Sequence, residues 1–299
     1  MTDAKQTLLV TGASGQLGRR VVELLLEKQA GRVIAMTRDP GKLADLAKRG
    51  VEVRKGDFDA PATLADAFAG VDRALLISTD AVGRPGGRKA HHKAAVAAAV
   101  AAGVKHLVYT SSPAPHPDDA FVISDDHYWT EQAIAASPVG WTFLRNNIYA
   151  EIALGSLANA VASGTLVNAA HGGARGYVTR EDCARVAAAA LADSFAGKRI
   201  VDVTGPEALA PADLAAMASA ITGKPVETVD VSYEQLVDGM VKAGLPKVVA
   251  GAYAGFDRDT AFGLYAVVTP VVEQLTGQAP TSLRAFLEAN RAALLGKAA

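Results

Sequence analysis

Short apolar runs alternate in strict turn with helical stretches through the first half of this 299-residue chain, and no other feature narrows its fold as much. The runs are TLLVTG, RVIAMTR, VEVRKGD, RALLIST and HLVYTSS. Branched and aromatic side chains in unbroken series suit strands buried on both faces. Between them lie QLGRRVVELLLEKQ, PGKLADLAKRG, PATLADAFAG and RKAHHKAAVAAAVAAG, with glycine stops at Gly50, Gly70 and Gly103. Strand and helix in turn predict an α/β fold, a Rossmann-type doubly wound parallel sheet. GWTFLRN and KRIVDVTG read as further strands. The pattern assigns residues 1–150 to the sheet domain, joined by strand and helix from about 176–205. The rest of 151–299 forms a smaller, mainly helical lobe, interleaved with the first part and lying over the carboxyl ends of the strands.

Thirty basic residues stand against 31 acidic ones, with no long run of either sign. That balance disfavours a nucleic-acid groove or an anionic membrane surface as partner. The single cysteine, Cys183, has no mate for an internal disulfide, which fits a reducing compartment. On the alanine-rich TREDCARVAAAAL it reads as a packing thiol. The start of the chain lacks the basic and apolar regions of a secretory leader, and no segment reaches the ~18 apolar residues of a membrane helix. A soluble, cytoplasmic protein is expected. The pattern leaves the oligomeric state open.

The first crossing from strand to helix carries VTGASGQLGRRV, with Gly12, Gly15 and Gly18 spaced G-x-x-G-x-x-G. Such a loop lets backbone N–H groups, here from Ser14, Gly15, Gln16, Leu17 and Gly18, approach a pyrophosphate at a helix N-terminus. The second strand ends in AMTRDPGK. An NAD site places Asp or Glu there for the ribose 2′-hydroxyl; this chain has Thr37 and then Arg38, with Lys42 close by. Arginine suits a 2′-phosphate, so NADPH is the expected cofactor, with NADH weaker. Asp39, just before Pro40, reads as the start of a turn. At the third strand's end Asp57 is placed to accept from the adenine amino group and Phe58 to flank the ring. Asp59 reads equally well as the start of a helix. Ser78 and Thr79, at the end of the fourth strand, are expected to border the nicotinamide ribose.

Together with TRDPGKLADLAKRGVEVRKGDFD, LLIST, AAGVKHLVYTSS and TFLRNNIYAE, these motifs resemble the NmrA-like atypical short-chain dehydrogenases. Within that group the chain is most similar to bacterial NAD(P)H:quinone oxidoreductases and triphenylmethane dye reductases. The likeness runs on through YVTREDCARVAAAAL and GPEALAPADLAAMASAITGKPV, so it covers nearly the whole chain. It implies a Rossmann domain, a small C-terminal lobe, NADPH, and a small aromatic or quinone-like acceptor.

Better-known short-chain reductases carry a tyrosine and, four residues on, a lysine that lowers its pKa. Here no lysine occurs between Ser112 and Ala150, and Tyr128 is followed four residues later by Gln132. The comparable pair in ISDDHYWTEQAI is His127 and Glu131, one helical turn apart. One reading makes His127 a proton source near neutral pH and Glu131 its partner or a ligand of a ribose hydroxyl; the other is a solvated or locally paired helix face after the Ser124 and Asp125 cap region. His91 and His92 read as surface residues rather than metal ligands, and no residue spacing suggests a metal site. Asn146, Asn147 and Tyr149 follow the sixth strand. There an amide can bond the nicotinamide carboxamide or an acceptor oxygen, and Tyr149 can stack on a flat substrate; the alternatives are turn chemistry and core packing. Arg145 reads as structural. The expected function is hydride transfer from NADPH to a quinone or similar conjugated acceptor. The alternatives are a non-catalytic NAD(P)-binding redox sensor, or a carbonyl or imine reductase with another proton donor.

Overall fold

The computed structural model describes residues 6–84, 86–118 and 122–296. Pro85 of the glycine-rich AVGRPGG loop and the first five residues, part of the stretch read above for a leader, lie outside them. Among the described residues the strands are β1 (Thr7–Val10), β2 (Arg32–Thr37), β3 (Glu52–Lys55), β4 (Arg73–Leu76), β5 (His106–Ser111), β6 (Gly140–Asn146), β7 (Thr165–Asn168), β8 (Lys198–Val203) and β9 (Glu227–Asp230). The helices used below are α1 (Gln16–Glu27), α2 (Ala44–Lys48), α3 (Leu64–Phe68), α4 (Gly87–Ala101), α5 (Val122–Ala135), α6 (Ala150–Ser163), α7 (Arg180–Ala192) and α8 (Pro211–Thr222).

Seven strands form one sheet in the order β3-β2-β1-β4-β5-β6-β8. The pairings β1–β2, β1–β4, β2–β3, β4–β5 and β5–β6 are all parallel. The chain winds outward from β1 to β3, then returns to lay β4 on the other side of β1. That reversal is the topological switch point, where open α/β sheets bind ligands beyond the carboxyl ends of their strands. The doubly wound sheet expected from the sequence is therefore present, and both late strand candidates are strands, β6 and β8.

Two compact units divide the chain. The first runs to Pro117 and takes in Ser124–Arg145 and Cys183–Val201. In its core Leu9, Ile34, Leu76 and Tyr109, from four neighbouring strands, pack on Leu64 and Phe68 of α3 and Ala95 and Ala99 of α4. Each fully buried leucine or phenylalanine contributes about 1.5–3 kcal/mol, and the small alanines let α4 lie close. Cys183 is buried, as its alanine-rich helix implied.

The second unit holds Asn146–Asp182 and the chain from Asp202 on. Its own core joins Leu157 and Ala160 of α6 to Leu214 and Met217 of α8, with Tyr265, Leu283 and Leu287. It also contains the parallel pair β7–β9, which the sequence did not announce. All four β9 residues are exposed, so no alternation marks it as a strand. Among the described residues no helix is long and apolar enough to cross a membrane.

Candidate cofactor site

Gly12 turns the chain out of β1 at φ +59°, and Gly15 takes the N-cap position of α1 with no side-chain cap. The loop is pinned from behind: Ala13 N–H donates to Met36 O (3.0 Å) and Gly15 N–H to Gly12 O (2.9 Å). A Cβ on Gly18 would stand 2.5 Å from Gly12 O, so only glycine lets the first turn of α1 lie against the loop. Ser14, Gly15 and Gln16 are exposed. The first-turn amides have no intrahelical acceptor, and with the positive end of the helix dipole they form a ready anion cradle.

At the end of β2 the buried Thr37 hydroxyl donates to Ser14 Oγ (3.0 Å), tying strand exit to loop. Asp39 caps the turn that starts at Pro40, accepting from Gly41 N–H (3.0 Å), as its place before proline suggested. The exposed Arg38 makes no hydrogen bond or ion pair among the described residues, and Lys42 beside it is exposed as well. Arg19 is engaged with Asp45 (2.7 Å) and Lys42 O (2.8 Å). At the end of β3, Asp57 Oδ1 accepts from Asp59 N–H (3.0 Å); Asp57 and Phe58 are both partly exposed.

Beyond β4 the backbone is held by side chains instead of by the ladder. Ile77 N–H donates to Thr11 Oγ1 (2.9 Å), Ser78 N–H to Thr110 Oγ1 (2.9 Å) and Thr79 N–H to His92 Nε2 (3.0 Å). His91 and His92 are 7% and 0% exposed, which corrects their reading as surface residues. His91 bridges Asp59 Oδ1 (2.9 Å) and Thr79 Oγ1 (3.4 Å). Because His92 Nε2 accepts from an amide, its ring proton sits on Nδ1, facing Thr130 Oγ1 at 2.9 Å. Burial and then the nearby Arg88 push its pKa down to about 3, so His92 is neutral.

On α5 His127 is also buried, at 5% exposure. Arg88 Nη2 approaches its Nε2 (3.3 Å), and its Nδ1 lies 2.8 Å from the Tyr109 phenol. An arginine can only donate, so Nδ1 carries the proton and donates a hydrogen bond to the phenol oxygen. Burial, then the charge of Arg88, lowers the His127 pKa well below the usual imidazole range. The solvated helix face and the charged proton source are both replaced by a neutral, engaged core histidine. Nor does Glu131 partner it. Its carboxylate accepts from Arg145 Nη2 (2.7 Å) and Nε (3.0 Å) and from the Ser111 hydroxyl (2.6 Å), so Arg145 clamps α5 to β6 as the structural reading held.

In the second unit the Asn147 amide is spent on the backbone. Its Nδ2 donates to Tyr265 O (3.0 Å) and its Oδ1 accepts from Ile148 N–H (2.8 Å), which is turn chemistry. Tyr149 occupies the N-cap position of α6 and carries the Arg180 guanidinium 5.4 Å above its half-buried ring. Asn146 Nδ2 reaches the Tyr149 phenol at 3.4 Å, while its Oδ1 is buried without a partner among the described residues.

The NAD(P)H-binding family matches residues 12–194, from the glycine loop to the end of α7 and just beyond. The chain belongs to that family. Quinone oxidoreductase 2 of Escherichia coli (strain K12) is 33% identical to it, over 92% of this chain and 96% of its own. The structure of the E. coli NADPH-dependent quinone oxidoreductase complexed with NADPH is similar at a TM-score of 0.87 and 32% identity, covering 95% of this chain and 99% of its own. That of Citrobacter sp. triphenylmethane reductase complexed with NADP(H) is similar at 0.83 and 32%, covering 94% and 99%. The NmrA-like resemblance drawn from the motifs is thereby borne out, and the chain is an NAD(P)H-dependent oxidoreductase.

The residues of this NAD(P)H-binding chain fit the cofactor of its family. The uncapped amides at α1 suit a pyrophosphate, and the clearance at Gly18 admits the close helix. At the end of β5 the sequence reading missed Ser112, a buried hydroxyl with no partner among the described residues. An orphaned buried hydroxyl costs about 1–3 kcal/mol, so its place at a strand's carboxyl end marks it as a candidate contact for the ribose or nicotinamide. The hydroxyl run TSS (110–112) at a strand exit, like Ser78–Thr79 in LIST, was the signal available.

Proposed function

We propose that the chain is an NADPH-dependent reductase of quinones or similar conjugated aromatic acceptors. The observation that supports this most is the state of α5. His127 is neutral with both ring nitrogens engaged, and Glu131 is held by Arg145 and Ser111. Neither offers the ready acid that an aliphatic ketone's developing alkoxide needs. A quinone that takes up hydride becomes a delocalised hydroquinone anion, which water protonates afterwards. A cationic triarylmethane dye becomes neutral and needs no proton. The acceptors named for the Escherichia coli and Citrobacter relatives are of these kinds.

Bound NADPH supplies the hydride. The chain's part is to bind, orient and exclude. Ser14, Gln16, Leu17 and Gly18 present their amides to the pyrophosphate, while Gly12 makes the turn and Gly15, its amide bonded to Gly12 O, holds it. Arg38 and Lys42 meet the 2′-phosphate, Asp57 and Phe58 the adenine, and Ser78, Thr79 and Ser112 the nicotinamide-ribose end. The Tyr149 ring offers a flat face for the aromatic acceptor, and Asn147 shapes the turn that carries it. His127 supports the site from within the core and gives up no proton. The setting is the cytoplasm.

Stopped-flow mixing of the NADPH-loaded chain with a panel of quinones, cationic dyes and aliphatic ketones tests this reading. Oxidation by quinones or dyes well ahead of the ketones is expected. Tight binding without oxidation by any acceptor would replace the reductase with a redox sensor. A preferred aliphatic ketone would demand a proton donor that α5 does not provide.

A further inference from the structure

The Arg88 side chain is 6% exposed, and it sits one residue inside α4, after the glycine-rich loop. Its guanidinium divides among three acceptors from two segments, the exit of β4 and helix α5. Nη1 donates to the Thr79 carbonyl, Nε to Asp126 Oδ2 (3.0 Å), and Nη2 faces His127 Nε2 (3.3 Å). His92, one turn further along the same helix, takes the Thr79 amide (3.0 Å). Both backbone groups of Thr79 are thus held by side chains of α4. A strand exit would otherwise leave them to solvent and free to move.

We propose that Arg88, backed by His92, is a positioning residue that fixes the exit of β4 and so sets how the nicotinamide-ribose end of the cofactor lies; this rests on the placement of Ser78 and Thr79 beside that end. A planar five-donor fork suits the task, because one group can hold a carbonyl, a carboxylate and an imidazole at fixed angles. His127 and Asp126 then serve as anchors for the guanidinium. This gives the neutral histidine on α5 a role that involves no proton transfer. Near the reacting centre a displacement on the order of 1 Å costs about 100-fold in rate, so a device that locks this peptide acts on orientation more than on affinity.

Removing Arg88 alone would strand Asp126 in the core. The test therefore uses Arg88→Met combined with Asp126→Asn, which deletes the charge pair at similar volume, and Arg88→Lys, which keeps a cation without the fork. The full chain is mixed with NADP⁺, and saturation-transfer NMR compares the nicotinamide protons with adenine H8. In the double variant the nicotinamide-to-adenine ratio should fall at least two-fold, while the dissociation constant for NADP⁺ changes less than about three-fold. Arg88→Lys should lie between it and the wild type. A wild-type ratio in either folded variant overturns the proposal. A wild-type chain that binds no NADP⁺ overturns the cofactor reading beneath it, and the two failures are told apart by the wild-type spectrum alone.

Discussion

In the proposed cofactor site, Arg38 is the residue on which the choice between NADPH and NADH should turn. It stands exposed at the end of β2, where a carboxylate would reject a 2′-phosphate, and the nearest acid, Asp39, is committed to Gly41 N–H. A charge-assisted contact of about 1.5–3 kcal/mol corresponds to roughly 10- to 150-fold in affinity. Arg38→Ala should accordingly raise KM for NADPH by at least about ten-fold and leave KM for NADH within about two-fold; steady-state kinetics with both cofactors that rise together would sink the assignment. Gly18→Ala belongs to a different class. Its Cβ would meet Gly12 O at 2.5 Å, so helix and loop must part, and binding of both cofactors should weaken alike, as a fluorescence titration of NADPH and NADH would show. These positions were legible because their chemistry is local: a glycine spacing and one missing acid. Arg88 was not, since its partners lie 9, 38 and 39 residues away along the chain.

Among the elements, strands in the main sheet were readable from their apolar runs, whereas β7 and β9 were not, because β9 is exposed throughout and half-buried β7 is too short to show a pattern. Burial of apolar side chains leaves a periodic trace in the sequence; polar joints between elements leave none. The joint between β4 and α7 shows what is lost. Arg73, 4% exposed, donates to the carbonyls of Ala190 (3.0 Å), Leu191 (2.9 Å) and Phe195 (2.8 Å) and pairs with Asp193 (2.9 Å). The first two are among the carbonyls that the end of α7 leaves without intrahelical donors, and a cation there also favours the helix dipole. Arg73→Met should cost about 3 kcal/mol, by analogy with other broken buried charge contacts, and lower the melting temperature by roughly 6–12 °C. Arg199 still holds Asp193, so no bare buried charge inflates the loss. Thermal denaturation followed by circular dichroism reads it, and a shift under about 2 °C would show that the joint carries little.

On the scale of the whole molecule the formal charge is only −1, so long-range repulsion does not govern how stability varies with pH, and buried titrating groups do. Three are histidines held neutral in the first unit. Burial, reinforced by Arg88, pushes His92 down to about 3 and His127 well below the normal range. Burial and the neighbouring Arg73 bring His106 to about 4. In the unfolded chain each takes up its proton near pH 6.5. As pH falls below that value the unfolded state binds protons that the native state refuses, so its free energy drops relative to the fold. Stability is therefore full above about pH 7 and is lost as pH falls from about 6.5 toward 3–4. Each histidine contributes a slope approaching ~1.4 kcal/mol per pH unit, so the three together approach ~4 kcal/mol per unit near pH 5. Asp126 works in the opposite sense, since burial raises its pKa, but it is one group against three. Urea unfolding at pH 7.5, 6.5, 5.5 and 5.0 should show a midpoint that barely moves over the first step and then falls steeply, with a net uptake of protons on unfolding at the lowest pH. An unfolding free energy that stays level between pH 6.5 and 5.0 would mean that the histidines ionise within the fold, and that the network around Arg88 is open to water.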